Sequence, residues 1–117
     1  MAIHHLVPEL LTREVRVTVV GVGGSGSQML MGLAQLHTAM LALGHPGGLD
    51  VTVIDADQVS EANVGRQMFY PSDVGLSKAA VLVNRINMAM GTGWKAQMRR
   101  LTAGESLRTD LAIGCVD

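Results

Sequence analysis

Five groups of residues carry side chains that can do chemistry if a fold brings them together: Gly21-x-Gly23-Gly24-x-Gly26, Asp55-x-Asp57, Asn63-x-x-Arg66-Gln67, Lys78, and Cys115-x-Asp117. A glycine loop between a strand and a helix lets backbone N–H groups approach a phosphate, and the helix start adds a positive dipole end. An acid just past the second strand, Asp55, can take ribose hydroxyls. Asp57 follows it and shares the strand end. Arg66 offers a planar fork to phosphate oxygens, flanked by Asn63 and Gln67. Lys78, near a helix start, can swing towards the same oxygens. Asp117 can share Mg²⁺ with phosphates, since magnesium takes one or two carboxylates plus substrate oxygens. Each group has a plainer use when taken singly. A glycine turn can serve packing alone, a strand-end Asp can cap a turn, and a lone Arg or Lys can be solvated.

The elements that must hold these groups follow from periodicity. Val15–Val22 reads as a strand and Val51–Ile54 as a second, both β-branched. A helix is expected from Ser25 or Gly26 to about Leu43, with Met29, Leu30, Leu33, Leu36, Met40 and Leu41 near one face. Gly44-His45-Pro46-Gly47-Gly48 ends it. Gln58–Tyr70 reads as loop with a possible helical turn, and Pro71-Ser72-Asp73 as a turn. A helix is predicted over Ser77–Met90 with Ala79, Leu82, Val83, Ile86 and Met90 inward. Trp94–Leu101 alternates like a half-covered strand. One or two helical turns are expected in Thr102–Thr109, then a strand over Leu111–Val116. The alternation predicts an α/β, Rossmann-like, doubly wound, mainly parallel sheet with helices on both faces. Residues 1–14 read as an N-terminal segment and 15–117 as a nucleotide-binding domain. Because the chain ends on a strand, we expect a piece of a longer protein.

Composition narrows the partners. The chain has 117 residues, 48% of them hydrophobic, and a net charge of -1. That supports a globular core and gives no electrostatic case for nucleic acid or an anionic membrane. The single cysteine excludes an internal disulfide and a C-x-x-C zinc pair. With no signal-peptide pattern, cytoplasm is the expected compartment. Arg99, Arg100 and Arg108 read as solvated.

On the residues alone three readings stay open. The glycine loop with Asp55 fits NAD and ATP equally, so a nicotinamide-dependent oxidoreductase is one. An ATP-dependent enzyme is the second, favoured by Asn63-x-x-Arg66-Gln67, because a departing pyrophosphate needs a cation that a hydride-transfer site does not. A non-catalytic nucleotide-binding assembly module is the third.

The order G-x-G-G-x-G, D-x-D, N-x-x-R-Q, V-G-x-x-K, C-x-D resembles the ThiF/MoeB/HesA superfamily, the adenylating domains related to ubiquitin-activating enzymes. The resemblance runs from about Val17 to Asp117. The N-terminal wording and the enlarged loop look most like the ThiF-family proteins of bacterial PRTRC systems. The resemblance implies MgATP-dependent adenylation of a carboxylate, typically the C-terminus of a ubiquitin-like or sulfur-carrier protein, with release of pyrophosphate. It implies that Gly21, Gly23, Gly24 and Gly26 form the nucleotide loop and that Asp55 takes the ribose. It puts Asn63, Arg66, Gln67 and Lys78 at the phosphates and makes Asp117 the magnesium ligand. It further implies a homodimer in which an arginine comes from the partner's N-terminal region, with Arg13 or Arg16 as candidates. Leu43–Asp50 departs from the pattern by extra residues. The downstream thioester cysteine and zinc cysteines of relatives are not among these residues.

Overall fold

The structure, a computed structural model, describes residues 13–65, 69–102 and 104–114. Four strands, β1 (Val15–Val20), β2 (Leu49–Ile54), β3 (Lys95–Gln97) and β4 (Leu111–Gly114), form one sheet in the order β3-β2-β1-β4. All three pairings are parallel. Two helices cross between strands, α1 (Gly24–Ala42) and α2 (Lys78–Met90). This is the α/β, Rossmann-like fold that the alternation predicts.

The β-branched strands form because both have something to bury. Val15, Val17 and Val19 lie in register with Leu49, Val51 and Val53, and all six are buried. Leu30, Leu33 and Ala34 of α1 and Ala79, Leu82, Val83 and Ile86 of α2 join them in one cluster. Each Val, Leu or Ile among them contributes about 1.5–3 kcal/mol when fully buried. Helix α2 starts at Lys78 because the Ser77 hydroxyl accepts from the Ala80 N–H at 3.2 Å, and it stops where Gly91 turns left-handed. Asn87 ties its C-terminal end to β3. Its amide donates to the Trp94 carbonyl at 3.0 Å, and its carbonyl accepts from the Trp94 N–H at 2.9 Å.

Several expectations shift. Strand β3 is three residues long rather than the whole of Trp94–Leu101, and Trp94 is core, its indole N–H donating to the Leu49 carbonyl at 3.1 Å. The described residues of Thr102–Thr109 hold no helix. Met29, Leu36, Leu41 and Met90 are exposed, against the faces predicted for the two helices. Helix α1 carries no Asp, Glu, Lys or Arg along its length, so no polar face marked which side was outward. Pro71–Asp73 and Glu61–Asn63 are short 3₁₀ helices.

The enlarged loop before β2 is ordered by two imidazoles. His45 Nδ1 accepts from the Gly48 N–H at 2.8 Å, and His37 Nδ1 accepts from the Leu49 N–H at 2.9 Å. Among the described residues, no helix is long and apolar enough to cross a membrane.

Candidate nucleotide-binding site

The β1–β2 register leaves Val20 opposite Ile54, so both strands stop at one level. Gly21 then sits beside Asp55 and donates its N–H to the Ile54 carbonyl at 2.8 Å. Its φ of 90° is open to glycine and strained for other residues, which fixes glycine at the turn. A Cβ on Gly26 would stand 3.0 Å from the Gly21 carbonyl oxygen and 3.3 Å from Val22 Cβ. This glycine lets the first turn of α1 close onto the end of β1. No acid lies in that first turn, so its dipole is left for an anion.

Asp55 is buried, and both of its oxygens are engaged. One accepts from the Val22 N–H and the other from the Asp57 N–H, each at 2.6 Å. A carboxylate oxygen has two lone pairs, so acceptor capacity remains for a hydroxyl. The side chain thus ties the glycine loop to the turn after β2. Asp57 is exposed, and its carbonyl accepts from the Lys78 N–H at 3.1 Å, which brings the start of α2 to the same place.

Lys78 is 8% exposed and has no side-chain hydrogen-bond or ion-pair partner among the described residues. An ammonium in that position is costly unless an anion joins it. The sequence marked Lys78 as a phosphate cation but gave no sign that it would be buried. Asn63 turns its carbonyl oxygen inward to its own loop, accepting from the Ser60 N–H at 2.8 Å and the Ser60 hydroxyl at 3.0 Å. Its amide N–H groups are what it can offer a ligand.

Arg66 and Gln67 lie outside the described residues, as do Cys115 and Asp117. The flanks of the Arg66 segment are fixed. Gly65 donates its N–H to the Phe69 carbonyl at 3.1 Å, and Phe69 is buried. Beyond it, Asp73 accepts from the Tyr70 N–H at 2.7 Å and from Arg85, whose guanidinium lies 4.6 Å from the Tyr70 ring centre. The Tyr70 N–H, then Arg85, hold the Asp73 carboxyl below its usual range.

A cavity of about 270 Å³ opens over these strand ends, lined by Val20, Gly21, Ile54, Asp55, Ala56, Asp57, Arg99, Arg100 and Leu101. Arg99 and Arg100 were expected in solvent. Arg99 is instead bonded by Glu105 at 2.8 and 2.6 Å and by Gln97 at 2.8 Å. Arg99, then the Thr102 N–H, hold the Glu105 carboxyl down at about 2. A second cavity, about 380 Å³, lies at the opposite end of the sheet beside His37, Asp50, Trp94 and Lys95. Ligands of open parallel sheets bind at the strands' C-terminal ends, where the first cavity is.

The ThiF family profile matches residues 9–105. The chain belongs to the ThiF family. A ThiF relative, adenylyltransferase and sulfurtransferase UBA4 of Yarrowia lipolytica, is 32% identical over 96% of this chain and 28% of its own length. Tertiary structure agrees. The E. coli tRNA N6-threonylcarbamoyladenosine dehydratase TcdA, solved with AMP and with ATP, superposes at a TM-score of 0.66 with 26% identity. That match covers 97% of this chain and 44% of TcdA. E. coli MccB with ATP, at 24% identity and a TM-score of 0.52, shares the fold. This ThiF chain therefore spans less than half the length of these relatives.

Of the two N-terminal arginines, Arg13 is bonded to Asp110 through both nitrogens, at 2.6 and 2.7 Å, and Arg16 is exposed.

Proposed function

We propose that this chain is the nucleotide-binding part of an ATP-dependent adenylating enzyme. The observation that carries the reading is Lys78, a buried residue whose backbone N–H bonds the Asp57 carbonyl and whose side chain has no partner among the described residues. A triphosphate supplies what that ammonium lacks. TcdA holds ATP and AMP on the same fold, which supports ATP over NAD. In this reading the Gly21–Gly26 loop and the start of α1 hold phosphate oxygens, and Asp55 accepts a ribose hydroxyl on its remaining lone pairs.

The substrate is a carboxylate, the C-terminus of a ubiquitin-like or sulfur-carrier protein; the relative UBA4 is named an adenylyltransferase and sulfurtransferase. One carboxylate oxygen attacks the α-phosphorus, the bond to the bridging oxygen breaks, and pyrophosphate leaves with its charge. Lys78 and Arg66 stabilise that charge. Magnesium, when bound, would neutralise further charge on the phosphates. Asp117 is the carboxylate assigned to it. We assign the chain to a cytoplasmic homodimer of the PRTRC type, residues 15–117 being one domain of a longer protein.

The test is ATP–pyrophosphate exchange by the full-length protein with its acyl acceptor. Arg66→Ala and Lys78→Ala should each reduce exchange by about 100-fold or more, the loss seen on removing one oxyanion-type donor. Exchange that persists in Arg66→Ala removes the role given to Arg66.

A further inference from the structure

We propose that Arg99 is a base-stacking residue, offering the flat face of its guanidinium to the heteroaromatic base of the bound nucleotide. The proposal rests on the nucleotide reading above and adds to it the residue that receives the base.

The sheet order sets the geometry. Strands β1, β2 and β3 are neighbours, with the glycine loop at the end of the first, Asp55 at the end of the second and Arg99 just past the end of the third. Two strand spacings, about 10 Å, separate the first from the third. A nucleotide with phosphates on the glycine loop and ribose at Asp55 carries its base over Arg99. Gly21, Asp55 and Arg99 all line the same cavity.

The chemistry follows from what Arg99 has left to offer. A guanidinium has five N–H donors, all in its plane. Nε donates to Gln97 at 2.8 Å, one Nη to Glu105 at 2.8 Å and to the Arg100 carbonyl at 3.3 Å, and the other Nη to Glu105 at 2.6 Å. Four of the five are therefore in use, and the positive charge faces a carboxylate. This Arg cannot fork a phosphate without leaving Glu105. Yet its side chain is 39% exposed and lines the cavity. With the edge occupied, its remaining interaction surface is the face, and guanidinium faces stack on heteroaromatic rings. The plane is also held in register with the ribose acid. The carbonyl of Gln97, which anchors Arg99, accepts from the Asp55 N–H at 3.1 Å. Leu101 supplies apolar wall beside it.

The experiment titrates ATP and inorganic tripolyphosphate into the full-length protein and two variants. Arg99→Lys keeps the charge and loses the plane. Arg99→Tyr keeps a plane and loses both the charge and the edge bonds. Arg99→Lys should weaken ATP about 5- to 100-fold, the range for losing one stacked base, and leave tripolyphosphate unchanged. Arg99→Tyr should stay within about threefold of wild type for ATP, since stacking asks only for a π-face. ATP bound to the wild type should show hypochromism of the adenine band, a readout that needs no variant to fold. The proposal is overturned if hypochromism is absent, if Arg99→Lys weakens both ligands equally or neither, or if Arg99→Tyr fails as Lys does, which would make Arg99 only a brace. A wild-type protein that binds tripolyphosphate but no better with adenosine attached defeats the base site alone. One that binds neither defeats the nucleotide reading itself.

Discussion

Asp55 shows how one carboxylate serves two ends. The sequence presented it as a ribose acceptor; the structure adds that it joins the loop after β1 to the turn after β2 through two backbone N–H groups. Removing it leaves two donors unpaired, and each buried orphan costs about 1–3 kcal/mol. Asp55→Ala should therefore lower the denaturant midpoint by the equivalent of about 2–5 kcal/mol as well as abolish nucleotide binding. Asp55→Asn retains an acceptor oxygen and should lose less than half as much stability. A chemical denaturation series on the two variants checks the order. Arg99 shows the opposite relation. The two adjacent arginines read as solvated at the end of an alternating stretch, and nothing in their spacing pointed to a partner in the segment after them. Glu105 accepts from the Thr102 N–H at 3.0 Å and from Arg99, and the described residues of Thr102–Thr109 hold no helix.

At the scale of elements, the strands and helices were legible because their periodicity is backed by burial. Val15/Val17/Val19 and Ala79/Leu82/Val83/Ile86 are where alternation and three-four spacing placed them. The face of α1 was legible only in part: Leu30 and Leu33 are buried as expected, whereas Met29, Leu36 and Leu41 are exposed, because no charge on the helix marks its outer side. The order of the loop before β2 was not legible, its acceptors being imidazole nitrogens of His37 and His45 on backbone N–H groups. The close approach of α1 to β1 gives a prediction. Gly26→Ala puts a methyl 3.0 Å from the Gly21 carbonyl oxygen. Backbone lies on the other side of that contact, so α1 must tilt away from the loop. We expect a loss of about 1–3 kcal/mol, the cost of overpacking. ATP affinity should fall by more than tenfold, because the loop's N–H groups move with the helix. Calorimetry with matched thermal melts separates the two losses.

On the scale of the whole molecule, ion pairs close long stretches of chain. Arg13 and Asp110 are 97 residues apart and join the residues entering β1 to those entering β4. The hydrogen bonds of Arg13, then of the Arg16 N–H, hold Asp110 well below the usual carboxylate range. Glu105 lies at about 2, and Asp73 is lowered as well. A carboxyl with a depressed folded-state pKa adds stability that is complete above its unfolded value, near 4, and is lost as pH falls through the folded one. The melting temperature should therefore hold from neutral pH down to about 4.5 and fall steadily to about 2. Asp110→Asn should lower it at neutral pH and flatten the acid limb. A flat profile in the wild type would leave these pairs without a share in stability.

The order β3-β2-β1-β4 also has a consequence during synthesis. Of the described strands, β1 is the first made, and both of its neighbours, β2 and β4, are made after it. Its second neighbour begins just after Asp110, 94 residues beyond Arg16. At ~5–20 residues per second, roughly 5–20 s pass between the two. Throughout that interval V-R-V-T-V-V is made but half unpaired, a β-branched stretch open to any other extended chain. The time at risk is set by topology rather than by final stability, so pausing translation before β4 should send more chain to chaperones than an equal pause after it.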